Sequence, residues 1–382
     1  MYEIYLDHAS TTPIRSEVLE AMIPYLTYQY GNPSGIHNKA HNAYKELENA
    51  RTTIADLCGV KKHQVIFTSG GTEANNLAIL GYCRANKSKG NHIITSQAEH
   101  PSVQEVFRYL ESHEGFEVEY LHVNNYGQVN PNDLKAAITD QTIFCSIIHA
   151  NSEIGSINDI TALSKICKKQ NIIFHTDMCQ TAGYEEINIQ KLKIDMMTLN
   201  SSKIYGPKGV GCLVMNDHIE IQPLLWGGSQ EHNLRAGTQN VPGIIGFSKA
   251  LELAQQEKEE EKERLIDLRD WSIQELQKKI PTLRYNGDPI HRVAHNIHIS
   301  IPGRESEAII MYLSESYMYI SSGTSCSNKD KTHANTLEAI GLSKEEKESS
   351  LRITLGKYTQ KKDMETFINK LYYILKSKYI AQ

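Results

Sequence analysis

Short apolar runs alternate with helix-like stretches along roughly the first 215 residues of the chain. The runs are rich in β-branched and aromatic residues, which is typical of buried strands, and they lie at residues 65–68, 92–95, 118–121, 143–148, 172–175, 194–199 and 209–215. Several of the stretches between them repeat apolar residues at helical spacing. This alternation predicts an α/β fold with a mainly parallel sheet and a site at the carboxyl ends of its strands.

A long polar stretch separates this pattern from the rest of the chain. The sequence favours one helix from about residue 243 to residue 279, and its middle is almost wholly charged or amide, as expected for a solvated helix that links two domains. We predict an N-terminal segment (1–15) that joins a small domain, a large domain (16–255) and a smaller α/β domain (256–382). Ser16 is expected to cap the first helix. The apolar face of that helix holds Val18, Leu19, Met22 and Ile23.

Charge and hydropathy exclude several classes of function. The formal net charge is −5 and the sequence pI is about 6.4, so we expect no direct nucleic-acid partner, which would require a basic surface. No apolar run is long enough to span a bilayer, and no signal sequence opens the chain, so a membrane partner is not expected and the predicted location is cytoplasmic.

Cysteine and histidine usage argues against a metal or disulfide framework. The seven cysteines are odd in number and contain no Cys-x-x-Cys pair, so neither disulfides nor a thiolate zinc site are indicated. His291, His295 and His298 invite a metal interpretation. However, residues 295–301 alternate like a strand, which would send the later two histidines to opposite faces, and no carboxylate or cysteine completes a ligand set. We expect no metal.

One lysine stands out because of its position between two predicted strands. Lys203 lies in the loop 200–209, between small hydroxyl residues and a Gly-Pro turn, and Asp177 ends the strand upstream, with Gln180 three residues further on. A solvated loop charge would explain an isolated lysine. Burying an unpaired carboxylate is costly, so Asp177 calls for a cationic partner. The pair matches the needs of pyridoxal phosphate, whose aldehyde binds a lysine and whose ring nitrogen is kept protonated by an aspartate.

Two further motifs follow predicted strands. Residues 69–73 are glycine-rich and lead into a helix, an arrangement in which free backbone N–H groups can bind a phosphate, although a capped helix would explain Gly71 and Thr72 equally well. His100 follows the next strand. It could cap a helix there, or it could stack on an aromatic ring and relay a proton.

The last third of the chain adds a thiol and a guanidinium. Cys326 lies in the small, polar segment 321–331, where a reactive thiol would be placed rather than a structural one. Arg352 interrupts an apolar, strand-like run, and a buried guanidinium needs an anionic partner. A substrate carboxylate would fit, through two parallel hydrogen bonds.

Taken in this order, the motifs resemble those of the cysteine desulfurases, the NifS/IscS-like group of enzymes with the class V aminotransferase fold. The similarity covers nearly the whole chain. Besides the segments described above, it includes residues 5–7, 11–13, 151–155, 235–238 and 321–323.

The resemblance implies a pyridoxal 5'-phosphate-dependent transferase of fold type I. Its large domain would hold a mainly parallel seven-stranded sheet, a smaller α/β domain would carry a mobile cysteine loop, and the enzyme would be a homodimer. Lys203 would carry the cofactor and Asp177 would pair with the pyridine nitrogen. His100 would stack on the ring and take part in catalysis, and Gln180 would contact the phenolic oxygen.

The resemblance also assigns the phosphate, the substrate and the sulfur. The phosphate would be held by Gly71, Thr72, Asn200 and Ser202, with Thr238 reaching over from the opposite subunit. L-cysteine would be bound through its carboxylate by Asn32, Asn151 and Arg352, and Asn151 would also contact the cofactor. Cys326 would attack the sulfur, leaving alanine and a persulfide for a sulfur-acceptor protein, either an iron–sulfur scaffold or a tRNA-thiolation enzyme.

The phosphate segment departs from the family pattern. The family usually has Ser-Gly-His before the lysine, whereas this chain has Asn200-Ser201-Ser202, so a potential imidazolium is replaced by neutral donors. The alternatives to a desulfurase are a selenocysteine lyase, a class V aminotransferase, which would need no loop thiol, and a non-catalytic scaffold of the same fold.

Overall fold

The computed structural model describes residues 2–323 and 336–376. The strands are β1 (Ile4–Tyr5), β2 (Val65–Thr68), β3 (His92–Ser96), β4 (Glu117–Leu121), β5 (Thr142–Ser146), β6 (Ile173–Asp177), β7 (Met196–Asn200), β8 (Gly211–Met215), β9 (Arg284–Tyr285), β10 (Asn296–Ser300), β11 (Met318–Tyr319), β12 (Ser321–Ser322) and β13 (Ser350–Thr354). The α-helices are α1 (Ser16–Thr27), α2 (Asn38–Cys58), α3 (Gly71–Asn86), α4 (Pro101–Glu114), α5 (Pro131–Ala137), α6 (Ile160–Lys169), α7 (Ile189–Leu192), α8 (Val241–Lys279), α9 (Ser306–Glu315), α10 (Thr336–Ala339), α11 (Lys344–Glu348) and α12 (Lys361–Lys376).

A seven-stranded sheet in the order β2-β8-β7-β6-β5-β3-β4 forms the centre of the first 215 residues. The neighbours from β7 to β4 run parallel, whereas β8 is antiparallel to both β7 and β2. Only an antiparallel pair can be joined by a short connection, and the short loop between β7 and β8 is the one that holds Lys203. Each predicted strand is present, and the predicted α/β class with a mainly parallel sheet is confirmed.

The sheet is apolar along its strands because helices cover both of its faces. One face packs against a core that contains Leu47 of α2, Leu163 of α6 and Phe247 of α8. The other face packs against α3 and α4, with Leu77 and Phe107 fully or almost fully buried. The crossovers leave the carboxyl ends of the parallel strands open, and these ends form one edge of the cavity described below.

A second, antiparallel sheet in the order β12-β13-β10-β9 has its own apolar core. Helix α8 contributes to both cores, with Phe247 in the first and with Leu265 and Leu276 in the second. The charged stretch between Phe247 and Leu265 led us to predict a helix that links two domains. The division of the chain at residues 255 and 256 stays a prediction.

The N-terminal segment packs on the second sheet. Strand β1 pairs in parallel with β11, Leu6 is fully buried in the second core, and Asp7 bridges to Thr354 of β13. The first helix begins differently from our expectation: Ser16 is its first residue, Arg15 holds the capping position, and no side chain caps the helix. Serine at the first helical position cannot accept the hydrogen bonds that a capping residue accepts.

No helix within residues 2–323 and 336–376 is long and apolar enough to cross a membrane. Over the same residues, no group of three or more His, Cys, Asp or Glu side chains could hold a metal ion.

Several histidines are buried as neutral rings. Burial lowers the pKa of His298 to about 3, and its Nδ1 accepts a hydrogen bond from Asn286 Nδ2 at 3.0 Å. Burial also lowers the pKa values of the other histidines of this kind to about 3 or 4; they are His8, His149, His175 and His295. In the unfolded chain these rings take up protons near the ordinary pKa of about 6.5, so acid favours unfolding.

We therefore predict that the free energy of unfolding decreases as the pH falls from 7.5 to 5.5. Each neutral buried histidine should contribute a loss of about 1.4 kcal/mol over this interval, because only the unfolded state binds the proton. In His298→Asn the loss should be smaller by that amount. Denaturant titrations at the two pH values measure the free energy of unfolding of each protein. His41→Asn, on the exposed side of α2, is the control. Equal losses in wild type and His298→Asn would contradict the prediction.

Candidate active site

A cavity of about 640 Å³ lies at the carboxyl ends of the central strands, between the two sheets. Of the residues predicted to act at a site, it brings together Gly71, Thr72, His100, Asp177, Gln180, Asn200, Lys203 and Arg352. Residues to which the sequence assigned no role complete its wall; they include Ser10, Ser102, Ser152, Glu153 and Cys179. The following paragraphs take the main groups in turn.

Asp177, the last residue of β6, is buried on the floor of the cavity, with 5% of its surface exposed. One carboxylate oxygen accepts a hydrogen bond from Cys179 N at 2.9 Å, and the other accepts one from Asn75 Nδ2 at 2.7 Å. Both donors are neutral. Each oxygen keeps lone-pair capacity for a further donor, and a cationic N–H group in the cavity would compensate the buried charge.

His100 follows β3 and caps α4 through its ring, since Nδ1 accepts a hydrogen bond from Ser102 N at 3.1 Å. This contact places the proton of the neutral ring on Nε2. The ring is open to the cavity, yet desolvation by the surrounding protein still lowers its pKa, with the charges of Lys203 and Arg352 adding to the effect and Asp177 opposing it. The capping role and the site role that we weighed from sequence are thus compatible.

Ser102 and Asn75 connect His100 to Asp177. Asn75 Nδ2 donates to Ser102 Oγ at 2.9 Å, and Ser102 Oγ lies 2.7 Å from His100 Nδ1. Asn75 lies four residues after Gly71 on α3, so helical spacing places both on one face and could have identified it. Behind His100, burial raises the pKa of the Glu99 carboxyl to about 8, so it does not add a second negative charge beside Asp177 at neutral pH.

Lys203 ends a short 3₁₀ helix, Ser201–Lys203, directly after β7. Its Nζ donates to the backbone oxygen of Ser10. Burial lowers its pKa, and the positive charge of Arg352 adds to this effect. The amine is therefore neutral more often than an exposed lysine, which is a requirement for bonding to an aldehyde.

The start of α3 provides an anion site. Its capping residue is Gly70, which offers no side-chain cap, so the first N–H groups of the helix stay available for a phosphate. A Cβ atom at Gly71 would lie 2.7 Å from Cys179 Sγ, so the backbone must approach closely there. Arg235 pairs with Glu73 in the first turn at 2.8 Å. The capped-helix alternative is thereby weakened.

Asn200 and Ser202 flank this site in different ways. Asn200 lines the cavity, and its Oδ1 accepts a hydrogen bond from Ser202 N at 3.3 Å. Ser202 does not line the cavity; its carbonyl accepts hydrogen bonds from Thr12 N at 2.9 Å and Thr12 Oγ1 at 3.0 Å. Its predicted contact with the phosphate stays a prediction.

Arg352, on β13, enters the cavity from the second sheet. Its Nη2 donates to Asp7 Oδ1 at 3.0 Å and to Ser10 Oγ at 2.6 Å, and its Nη1 donates to Ser152 O at 3.1 Å. Its Nε has no hydrogen-bond partner among the described residues. The anionic partner that we expected is thus already present as Asp7, which the sequence did not indicate. Nη1 makes one of the two hydrogen bonds that it can donate, which leaves capacity for a carboxylate.

Besides Ser202, three predicted residues do not line the cavity. Asn151 is buried behind the cavity wall, where its amide donates to Ala98 O at 2.9 Å and to Thr336 Oγ1 at 3.1 Å. Asn32 and Thr238 are exposed and do not line the cavity of their own chain. Cys326 lies outside the described residues. The roles predicted for these four residues stay predictions.

The side chains present fit pyridoxal phosphate. The uncapped N–H groups at the start of α3 can bind the phosphate, and the remaining lone pairs of the buried Asp177 carboxylate can accept from a protonated pyridine nitrogen. Lys203 can bond to the aldehyde. Gln180 is held nearby, since its Nε2 donates to Ala9 O at 3.0 Å. The cavity therefore has donors for the phosphate, an acceptor for the protonated ring nitrogen and an amine for the aldehyde.

Comparison with known proteins agrees with this geometry. Residues 4–367 match the model of the family described as aminotransferase class-V. The "Cysteine desulfurase IscS" of Dictyoglomus turgidum is 47% identical over 362 residues, covering 95% of this chain and 92% of that protein. The protein of the same name from Methanosarcina thermophila is 42% identical over 362 residues, covering 95% and 89%.

A solved structure of a NifS-like protein superimposes with a TM-score of 0.92 at 31% identity, covering 98% of this chain and 99% of that one. The prediction of pyridoxal phosphate as the cofactor is confirmed by this family membership. The chain therefore belongs to the aminotransferase class-V family, and its resemblance to the cysteine desulfurases of that family is confirmed.

Proposed function

We propose that this chain is a pyridoxal phosphate-dependent cysteine desulfurase, which takes the sulfur from L-cysteine, leaves L-alanine, and passes the sulfur to an acceptor protein. The observation that carries this function is the convergence of Lys203, Asp177 and Arg352 on one cavity. Two of these groups come from the central sheet and one from the second sheet, so the cavity offers a cofactor site and an amino-acid carboxylate site side by side.

The cofactor, when bound, supplies an electron sink for negative charge on the substrate's α-carbon. Asp177 keeps the proton on the pyridine nitrogen, because its buried carboxylate is stabilised by a positive neighbour. Lys203, with its lowered pKa, holds the cofactor and afterwards moves a proton at Nζ. His100 holds a proton at Nε2 beside them. Asp177 and His100 are fixed by hydrogen bonds from Asn75 on α3 and from Ser102 at the start of α4, and Lys203 donates to Ser10 O.

Arg352 orients the substrate. Its guanidinium is held by Asp7, Ser10 and the carbonyl of Ser152, so it is fixed before the substrate arrives. We propose that the carboxylate of L-cysteine binds to this pre-arranged guanidinium, with Asn151 and Asn32 assisting. A preorganised cation costs little ordering free energy at the moment of binding.

We propose Cys326 as the sulfur acceptor within the chain. Its thiolate attacks the sulfur of the bound cysteine, so that an S–S bond forms while the C–S bond breaks, and the carbon takes a proton to become alanine. The persulfide then passes to an acceptor protein, either an iron–sulfur scaffold or a tRNA-thiolation enzyme. Co-purification with persulfide-loaded protein identifies the acceptor.

We further propose that two copies form the working enzyme. Leu19, Ile23 and Leu26 form an exposed apolar stripe along α1, and Trp226 is 81% exposed. Surfaces of this kind are typical of contacts between chains. A second copy would cover them and would bring its Thr238 toward the phosphate. Sedimentation as a monomer at micromolar concentration would contradict this proposal.

The cytoplasm is the location we propose. The six described cysteines are all free thiols, and Cys179 among them is only half-buried in the cavity. Unpaired thiols are typical of reducing compartments.

The central experiment measures alanine and sulfide from L-cysteine with a thiol reductant present. Wild type should release them in equal amounts, and Lys203→Ala should lose turnover, since Lys203 is the only lysine among the described residues that line the cavity. Borohydride reduction followed by peptide mapping should place the cofactor on Lys203. Lys208→Ala, which changes a nearby exposed lysine, is the control. Transamination without sulfide, activity on selenocysteine alone, or a cofactor fixed to another lysine would contradict the proposal.

Cys326→Ser should abolish persulfide and sulfide formation but should still bind L-cysteine in the cofactor site, because the carboxylate and amine contacts do not involve this thiol. Mass spectrometry of the trapped persulfide gives the site. Cys179→Ser is the matched control: burial raises the pKa of the Cys179 thiol, with the charge of Asp177 adding to the effect, and it should keep sulfide release. A persulfide mapped to Cys179 would overturn the assignment to Cys326.

Asn75→Ala should weaken binding of pyridoxal phosphate to the stripped protein by about tenfold. The variant removes a hydrogen bond to a charged carboxylate, which is worth about 1.5 kcal/mol, and Asp177 becomes less well oriented. A fluorescence or absorbance titration gives the dissociation constant. Asn130→Ala, which removes an amide that caps α5 far from the cavity, should leave that constant unchanged. Equal affinities in Asn75→Ala and wild type would show that Asp177 needs no such support.

A further inference from the structure

Tyr205 has an unusual backbone conformation two residues after Lys203. Its φ is +65°, in the left-handed region that bulky side chains rarely adopt. The residue is also buried, with 6% of its surface exposed. Strain of this kind persists only where neighbouring contacts hold it in place, and it is concentrated near functional sites.

The backbone of Tyr205 is held by the N-terminal segment. Tyr205 N donates to Thr12 Oγ1 at 2.8 Å, and Tyr205 O accepts from Arg15 N at 3.1 Å. Thr12 Oγ1 donates in turn to Ser202 O at 3.0 Å. The loop that carries Lys203 is therefore fixed on both sides of the lysine by residues that precede α1.

The side chain of Tyr205 reaches the second sheet. Its phenolic oxygen accepts a hydrogen bond from Lys357 N at 2.6 Å. Lys357 lies five residues after Arg352, where the chain leaves β13. This exit is itself well held, because Arg264 Nη2 donates to Gly356 O at 2.9 Å and to Lys357 O at 3.2 Å. The phenol therefore ties the lysine loop to a fixed point beside the strand of Arg352.

We infer that Tyr205 is a positioning residue that sets the separation between Lys203 and Arg352, and so matches the site to amino acids that carry an α-carboxylate. The inference rests on the carboxylate-binding role proposed above for Arg352. Lys203 and Arg352 belong to different sheets, and Tyr205 forms a direct hydrogen bond between the two elements that carry them. Its left-handed backbone turns the ring away from the loop and toward Lys357.

The test compares L-alanine with ethylamine, which differs from it only by lacking the carboxylate. Tyr205→Phe keeps the ring but removes the acceptor of Lys357 N. The change in the absorption spectrum of the holoenzyme measures the binding of each ligand. In Tyr205→Phe the dissociation constant for L-alanine should rise about fivefold, as expected for the loss of one hydrogen bond. The constant for ethylamine and the affinity for pyridoxal phosphate should stay as in wild type.

Tyr358→Phe is the matched control. Tyr358 packs edge-on against Tyr205, with ring centroids 6.1 Å apart, and is 56% exposed. The Tyr358→Phe variant removes a phenolic hydroxyl from the same region but keeps the hydrogen bond of Lys357 N. The dissociation constants for L-alanine and ethylamine should therefore match those of wild type.

Two outcomes would overturn the inference. Equal weakening of L-alanine and ethylamine would mean that Tyr205 supports the cofactor side alone, and no change for either would mean that the hydrogen bond is dispensable. Failure of the proposed function is distinguishable, because it would appear as absent sulfide release in wild type, whereas ligand binding to the cofactor site reports on Tyr205 whichever reaction the enzyme catalyses.

Discussion

A buried carboxylate whose own hydrogen-bond donors are neutral is the constraint on which the site depends. Asp177 receives one backbone amide and one side-chain amide, and neither compensates its charge. The protein thus retains an unmet demand for a cation at the floor of the cavity. A protonated pyridine ring would meet that demand, and its position would determine where an amine, a phosphate site and a guanidinium for the substrate carboxylate are useful. Lys203, the start of α3 and Arg352 occupy those places.

The two sheets contribute different groups to the site. The parallel sheet provides strand ends that converge on one edge, so that groups far apart in sequence meet at the cofactor. The antiparallel sheet provides Arg352, the cation that we propose for the substrate carboxylate. Residues 7–15 connect the two sheets. They form hydrogen bonds with Arg352 on one side and with the Lys203 loop on the other.

The central sheet could be predicted because strands buried on both faces leave continuous apolar runs in the sequence. Lys203 and Asp177 could be predicted because charges next to such runs are costly without partners. By contrast, the partnership of Asp7 with Arg352 joins residues 345 positions apart, and that of Asn75 with Asp177 joins residues 102 positions apart. Which partner each residue meets follows from topology and not from a local pattern, although the helical spacing from Gly71 could have placed Asn75 at the site. Asn32 and Thr238 were assigned only by resemblance, and one chain does not place them at a site.

The bonding of the N-terminal segment to β13 also has a consequence for synthesis. Leu6 O accepts a hydrogen bond from Thr354 N at 2.7 Å, and Ala9 N donates to Thr354 Oγ1 at 2.9 Å. During synthesis, residues 6–9 must therefore wait for residue 354, roughly 20–70 s at ordinary translation rates. During that interval the central sheet can already be complete and can hold Thr12 through the Lys203 loop. Leu6 and Ala9, by contrast, do not yet have their partner Thr354. The nascent chain would therefore hold a folded central sheet for some time before the part of the site that includes Arg352 is complete.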